Sequence, residues 1–549
     1  SEIANTVASR IEREIAPPSE LPAGSTTTNM EAYDAYLVGR AFVNARTPGF
    51  RDKAIAAFEE DIRLDENYAP PYAGLAVALE LTYDDWEASH ESAVRAAETA
   101  IELDPELGEG HAALGLTLLD EAIPLGDKES KLERAERSLR RALELDPSLT
   151  NAYNWLSNVL QQQGREEESN AVSERGLLVN PLDPILSSNK ARRLSRQGER
   201  ERAEQILLRL THLPEPPGLA YTGLAFLYSE AGQLDKSLHW AKQYGLANAM
   251  STTNRFSAFL AGIYERLGLT EDADHWMSDA VAQTPQPAQK SVYKAIQFQI
   301  RGDLEGISAE IETLRTALGV DIDRLQGIHA AQYASANIFV ANYDVGIDVF
   351  ERMSDFESLS EDDGLGFESL RGLEYLHVLA YAYQQLGRDD EATDLLTRLH
   401  DQLNAYVVEQ HMDFGPLHHL RAQNYGLRGD FDAAADALEA AIKAGWLQHI
   451  WVINDPTWAE TITYPRIARM LDDVKVELER QRAVVQQADA EHDFRAECEA
   501  ARSASAARNS PFSPISEQPA VVSPDPNLPL TSDRLWPLAA VQFRQFWGI

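Results

Sequence analysis

Residues 151–198 read NAYNWLSNVLQQQGREEESNAVSERGLLVNPLDPILSSNKARRLSRQG, and this stretch decides the fold. Two apolar segments with helical spacing flank a short polar turn at Gly164, and a second such turn follows 34 residues later at Gly198. Between the two turns Pro181 ends a helix, because proline lacks the amide hydrogen and collides with the preceding turn. Two helices of about a dozen residues joined by tight turns fit this period.

The same punctuation recurs along most of the chain. The interval of 34 residues separates Gly198 from Gly232 and Gly268 from Gly302. Further turn glycines are Gly387 and Gly429, and Asn342 takes the glycine's place in one degenerate unit. The spacing predicts about eleven helical hairpins between residues 31 and 445, with no β-sheet.

Small and bulky residues alternate at fixed places in these units. First helices carry Tyr221, Leu224, Ala225 and Tyr228, or Leu376, Leu379, Ala380 and Tyr383; second helices carry Ala273, Met277 and Ala280, or Ala434, Leu438 and Ala441. This pattern resembles the tetratricopeptide repeat (TPR) family. The resemblance implies an all-α, right-handed superhelical solenoid whose first helices line a concave face.

The chain divides by composition into four parts. Residues 1–30 hold an amphipathic helix, with Ile3, Val7, Ile11 and Ile15 on one face, and a linker. Residues 31–445 form the solenoid. Residues 446–500 are predicted to be capping helices, since a solenoid must cover its last apolar face. Residues 501–549 are a Pro- and Ser-rich tail that ends in aromatic residues.

Two segments near the ends of the solenoid look more specific. They are residues 31–40, EAYDAYLVGR, and Ala444-Gly445-Trp446, which continues to residues 454–458, NDPTW. Both resemble the C-terminal repeat regions of bacterial membrane-tethered signalling proteins, namely class III adenylate cyclases and winged-helix transcriptional activators. The resemblance implies a sensory or docking region, and it slightly favours a periplasmic or extracellular place over a cytoplasmic one.

Charge narrows the range of partners. The chain of 549 residues has 49 basic and 87 acidic side chains, a formal net charge of -38. Such a body repels phosphate backbones, which argues against nucleic acid as a partner. No apolar run is long enough for direct membrane insertion. The single cysteine, Cys498, lies in a polar, alanine-rich stretch and is expected to be a free surface thiol.

Signals for catalysis and metal binding are weak. His411, His418 and His419 lie near Asp413, but no second pair of ligands has the spacing of a zinc site. Phosphate-binding and nucleophile motifs are missing from the sequence. We therefore expect a non-catalytic protein without a cofactor or metal, although a pair of carboxylates needs no motif and an enzyme of that kind stays open.

The register of the repeats predicts a binding groove. Amide and basic side chains would share the concave face: Asn151, Asn154, Asn158, Gln161, Arg192, Arg196, Thr222, Phe226 and Arg255. Asparagine offers a donor and an acceptor to a peptide backbone, and arginine binds carboxylates through two hydrogen bonds. We expect protein or peptide partners there, with Asn154 and Arg192 on one face and at least partly exposed. The plainer interpretation is that any solvated helix face is polar.

The tail suggests an alternative function. Its large apolar residues are Trp536, Leu538, Phe543, Phe546 and Trp547. Such residues seldom stay exposed, so this segment is expected to dock on folded protein. If it docks on a neighbouring copy, the solenoid would self-assemble into an oligomer or filament.

Overall fold

The computed structural model of the chain describes residues 26–45, 50–81, 86–122, 128–213, 216–247, 254–284, 287–317, 327–353, 367–408 and 412–500. Within these ranges every regular element is a helix. The predicted N-terminal helix at residues 1–16 and the aromatic tail lie outside the described residues.

The described helices α1 to α22 form eleven consecutive hairpins. Hairpins 1 to 4 are α1 and α2 (Met30–Ala45, Phe50–Leu64), α3 and α4 (Pro70–Glu80, Trp86–Leu103), α5 and α6 (Gly108–Ala122, Lys128–Leu145), and α7 and α8 (Thr150–Gln162, Glu166–Val179). Hairpins 5 to 8 are α9 and α10 (Pro184–Arg196, Arg200–Thr211), α11 and α12 (Gly218–Glu230, Leu234–Ala247), α13 and α14 (Asn254–Arg266, Thr270–Ala282), and α15 and α16 (Pro287–Arg301, Leu304–Ala317). Hairpins 9 to 11 are α17 and α18 (Gly327–Phe339, Tyr343–Arg352), α19 and α20 (Phe367–Gln385, Asp389–Val408), and α21 and α22 (Gly415–Leu427, Phe431–Lys443). The prediction of an all-α solenoid with about eleven hairpins is confirmed.

The two helices of a hairpin meet where one of them carries a small residue. A Cβ atom on Gly39 of α1 would lie 2.6 Å from the ring of Phe58 on α2. In hairpin 3, Gly115 of α5 faces Leu139 of α6 in the same way. Small residues let paired helices approach closely while bulky partners fill the space between them.

The turns explain the repeated glycines. Seven of them have left-handed backbones with φ between 67° and 80°: Gly164, Gly198, Gly232, Gly268, Gly302, Gly387 and Gly429. In hairpin 9 the left-handed residue is Ala341, with φ of 62°, so the prediction that Asn342 replaces the glycine is wrong by one residue. Asn342 instead begins the next helix, where its carbonyl oxygen accepts the amide of Gly346.

The chain continues after hairpin 11 into α23 (His449–Asn454), two 3-10 turns at Pro456–Trp458 and Thr461–Thr463, and the long helix α24 (Pro465–Glu491). The beginning of α24 covers the last hairpin, because Ile467 and Leu471 pack in one apolar cluster with Leu438 of α22. The rest of α24 runs back to the middle of the solenoid.

Helix α24 binds the turns of hairpins 6 and 7 through hydrogen bonds to their backbone. Gln481, which is buried, accepts the amide of Leu234 at 2.7 Å and donates to the carbonyl of Gly232 at 2.8 Å. Arg482 donates to the carbonyl of Leu267. These contacts join residues more than 200 positions apart and fasten the C-terminal helix across the solenoid.

The end of hairpin 11 also closes on hairpins 5 and 6. Arg200 donates to the carbonyl of Ala444. A Cβ atom on Gly232 would overlap the carbonyl oxygen of Gly445 and lie 2.9 Å from the Leu447 side chain. The array therefore curves back on itself, so that the end of hairpin 11 meets hairpin 6.

Residues 494–500 form a final helical segment that packs on hairpins 6 and 7. Cys498 belongs to the apolar cluster there and is buried, so the prediction of a surface thiol is wrong. The reason is the return of α24, which brings this polar-looking stretch against Phe256 and Trp276. Among the described helices, none is both long and apolar enough to cross a membrane.

Candidate functional site

The first helices of neighbouring hairpins contact one another along the array, as helices on the inside of a curved stack do, and we call the surface that they share the inner face. Those of hairpins 8, 9 and 10 are joined side by side, because Gln332 of α17 donates to Gln299 of α15, and Tyr375 of α19 donates to Gln332 at 2.7 Å. All three side chains are buried. The inner face that these helices share is the surface on which the sequence placed a binding groove.

The first helices of hairpins 8, 10 and 11 are contacted by the chain's own residues 446–464, which we call the plug segment. Asn454 donates to the carbonyl of Ile300 on α15 at 2.8 Å. Gln423 of α21 donates to Thr457 at 2.7 Å. The first helix of hairpin 10 also contacts the 3-10 turn at Pro456–Trp458. The groove in this half of the array therefore holds a polypeptide already.

Two tryptophans of the plug segment enclose a histidine of the groove. The imidazole of His419 on α21 stacks 4.4 Å from Trp446 and 5.1 Å from Trp458, with interplanar angles of 15° and 8°. Burial and the neighbouring His377 lower the pKa of His419 to about 3. The sandwich at neutral pH is therefore an uncharged stack of three rings.

A buried carboxylate fixes the bend of the plug segment. Asp455 accepts the backbone amide of Thr457 at 2.8 Å and its hydroxyl at 2.7 Å, and it accepts the indole N–H of Trp451 at 3.2 Å. Burial raises the pKa of Asp455 to about 6, and these hydrogen bonds oppose the rise. The Asn-Asp-Pro-Thr-Trp sequence is thus a folding element that turns the chain back into the groove.

Hairpins 4 and 5 present the same inner face with different chemistry. Asn189 of α9 donates to the side-chain oxygen of Asn154 on α7 at 2.8 Å, and Arg192 donates to Asn189 at 2.9 Å. Asn154 and Arg192 therefore lie on one face, as expected. Arg192 is exposed, but Asn154 is only 8% exposed, so the expected exposure of Asn154 is wrong. The amide of Asn189 covers it.

The remaining predicted groove residues of hairpin 4 stay accessible. Asn151, Asn158 and Gln161 are half-buried on α7. For Arg196 and Arg255 the structure describes the backbone of their helices, and their side chains lie outside the described residues.

Two predicted groove residues lie in hairpin 6. Thr222 is half-buried, and its hydroxyl bonds to the carbonyl of Gly218 at 3.3 Å. The Phe226 ring lies 4.8 Å from that of Phe259 in the next first helix, and it packs on the apolar cluster that includes Leu447. Phe226 thus belongs to the border between the filled and the open part of the groove.

Helix α9 is basic although the chain is strongly acidic. Its sequence, PILSSNKARRLSR, contains one lysine and three arginines and has no carboxylate. Asp183 caps its start by accepting the amides of Ile185 and Leu186, which places the basic residues on the following turns. Lys190 and Arg193 both pair with Glu174 of α8, at 2.7 and 3.3 Å. Arg192 points from the same helix into the open face.

Two of the histidines considered for metal binding have other partners. His418 pairs with Asp413 at 2.9 Å, and His419 is held between the two tryptophans. His411 lies outside the described residues. Among the described residues there is no group of three side chains arranged to hold a metal ion. The tail residues Trp536, Leu538, Phe543, Phe546 and Trp547 also lie outside the described ranges, and their docking stays a prediction.

The plug segment is the feature that the sequence interpretation missed. In the sequence the plug segment is marked by three large apolar residues after the last repeat, Trp446, Leu447 and Trp458. All three are buried in the structure. Their spacing fits neither helix of a repeat, and this mismatch distinguishes a groove-filling segment from a twelfth hairpin.

No family model matches the chain, and no curated protein matches it. Among solved structures, the chain is similar to the crystal structure of a thermophilic TPR protein in Thermus thermophilus. The identity is 17% and the TM-score 0.29, over 34% of this chain and 94% of that one. The chain is an all-α helical-repeat solenoid, and its own eleven hairpins carry that assignment.

Proposed function

We propose that the chain is a protein-interaction scaffold that binds an extended acidic polypeptide segment on the inner face of hairpins 4 and 5. One observation carries the proposal. The plug segment contacts the inner face in hairpins 8, 10 and 11, whereas in hairpins 4 and 5 this face carries accessible amide groups and the exposed Arg192. A surface that accommodates polypeptide in one half of the array is suited to do so in the other half.

The chemistry of this face selects the partner. The Asn154, Asn189 and Arg192 side chains form a hydrogen-bonded row across two helices, which presents a guanidinium at its end. Guanidinium groups bind carboxylates with two parallel hydrogen bonds, and half-buried amides such as that of Asn158 can pair with a peptide backbone. Within a chain of net charge -38, a first helix with only positive charges favours an acidic partner.

The resemblance of residues 31–40 and 444–458 to bacterial signalling proteins supports a finer version of this proposal. In that version the scaffold is the sensory or docking region of such a protein. The second of these segments overlaps the plug segment, residues 446–464. Self-assembly through the tail remains the alternative, and no described residue favours it.

Binding of a simple peptide tests the proposal. The probe is a fluorescein-labelled octapeptide of alternating glycine and glutamate, and its twin has glutamine at every glutamate. We expect the acidic peptide to bind, with an affinity that falls as salt is added. Arg192→Glu should weaken binding by about tenfold or more, since a hydrogen bond to a charged group contributes roughly 1.5–3 kcal/mol. Fluorescence anisotropy measures each affinity.

The matched control is Arg202→Glu on α10, the second helix of hairpin 5. Arg202 is also exposed, and its replacement changes the net charge by the same amount. We expect this variant to bind the acidic peptide like the unchanged protein. Equal binding of both peptides, or equal losses in the two variants, would contradict the proposed site.

A further inference from the structure

The first helix of the array leaves an apolar stripe uncovered. On α1, Met30 is 68% exposed, Tyr33 and Leu37 are each 43% exposed, and Val38 is 48% exposed. The other side of α1 is buried: Ala32, Tyr36 and Gly39 are buried there, and Tyr36 and Gly39 lie against Phe58 of α2. Four large apolar side chains on one face of a helix form a surface that a folded protein normally covers.

Later hairpins show what covers this face. In hairpin 6, Ser237 of the second helix donates to the carbonyl of Ala225. Ala225 is thus a small first-helix residue that meets the second helix of its own hairpin, as Gly39 does in hairpin 1, and we align the two. The residues just before Ala225 are Gly223 and Leu224. A Cβ atom on Gly223 would lie 2.8 Å from Leu207 of the preceding hairpin, and Leu224 is fully buried in the same cluster as Leu207.

By this register Leu37 and Val38 correspond to Gly223 and Leu224. The exposed stripe of α1 is therefore the position where the second helix of a preceding hairpin would pack. Hairpin 2 repeats the arrangement, since Gly74 of α3 lies against Phe58 of α2, the preceding second helix. A solenoid needs a cap at each end to cover such a face.

We propose that residues 3–15 of the same chain occupy this position as the missing second helix. Ile3, Val7, Ile11 and Ile15 recur every four residues, which gives the segment one apolar face. The ten residues from 16 to 25 span up to about 33–36 Å when extended. Helix α1 is only roughly 24 Å long. The linker can therefore connect residues 3–15 to the start of α1 wherever along that helix they pack. The occupant is intramolecular, and it prevents a second copy from stacking on this end.

Disulfide trapping tests the position. In a Cys498→Ser background, Val7→Cys is combined with Val38→Cys, and the protein is oxidised at low concentration. We expect rapid formation of an intramolecular disulfide in the monomer, because the two Cβ atoms come within bonding range only if the segment packs on α1. Mass spectrometry identifies the linked peptides.

The control pair is Ser9→Cys with Val38→Cys, since residue 9 lies on the polar side of the predicted helix. We expect this pair to cross-link far more slowly. Equal rates for the two pairs, or disulfide-linked dimers with the Val7 pair, would overturn the proposal, and the dimers would assign the face to a second copy. If Cys498→Ser unfolds the chain, the same pairs are compared with Cys498 retained, because its thiol is buried.

Discussion

Replacing Trp458 with alanine is expected to lower the free energy of unfolding by about 3–5 kcal/mol, the cost typical of removing a buried aromatic side chain. Trp458 is fully buried, and its indole ring forms one side of the stack around His419 of hairpin 11. Its loss opens a cavity in the cluster that includes Leu438 and Ile467. Urea unfolding followed by circular dichroism measures the change.

The matched control is Ile453→Ala in the same plug segment. Ile453 is 44% exposed, so its truncation should change the free energy of unfolding by no more than about 0.5 kcal/mol. A Trp458→Ala protein as stable as the Ile453→Ala protein would show that the plug segment is not packed in the groove.

The second large effect concerns the closure of hairpins 6 to 11. Gly232→Ala should cost about 1–2 kcal/mol for a left-handed backbone and roughly 1–3 kcal/mol more for overpacking. The overpacking arises because the new Cβ atom would overlap the Gly445 carbonyl oxygen and press on Leu447. Thermal and urea unfolding of the variant give the total cost.

Gly164→Ala is the comparison for this prediction. Gly164 has nearly the same backbone, with φ of 72° against 69°, but a Cβ atom there would meet nothing within 4 Å. Only the backbone cost should remain. Equal costs for the two glycines would contradict the contact between the end of hairpin 11 and the turn of hairpin 6.

Much of the fold follows from local rules in the sequence. The tight turn inside a hairpin uses a left-handed residue, and glycine adopts that backbone without a steric cost. The spacing of Gly164, Gly198 and Gly232 therefore sets the repeat length directly. Hairpin 9 is the exception: Ala341 takes the strained backbone, and a single sequence offers no means to choose it over Asn342.

The binding face could be predicted only in part. Repeat register places Asn154 and Arg192 on one side of their helices, and the hydrogen bonds through Asn189 bear this out. Burial of Asn154 depends on how closely α7 and α9 pack, which the register does not contain. The position of the plug segment could not be predicted for a similar reason. The contact between Gln423 and Thr457 joins two side chains that share no periodic pattern.

The return of α24 to the middle of the solenoid could not be predicted from the sequence either. Gln481 reads as a polar residue on a solvated helix, yet it is buried and bonds to the turn of hairpin 6. Its partners lie 247 and 249 residues earlier in the chain. Only the curvature of the whole array brings them together.

The two halves of the inner face thus differ in what covers them and in the chemistry of their side chains. In hairpins 8, 10 and 11 the face is contacted by residues 446–464, with uncharged aromatic contacts around His419. In hairpins 4 and 5 it is polar and basic and leads to Arg192. The proposed function rests on this asymmetry, because the polar and basic half is accessible whereas the other half is covered by the chain itself.

Photo-cross-linking of the acidic octapeptide locates the surface on which it binds. The peptide carries a diazirine group at its centre, and mass spectrometry of the irradiated full-length chain locates the adducts. We expect adducts on the first helices of hairpins 4 and 5, at residues 150–162 and 184–196, and their loss in Arg192→Glu. Adducts on second helices or within residues 367–443, or no adducts above those of the glutamine twin, would contradict the proposed function.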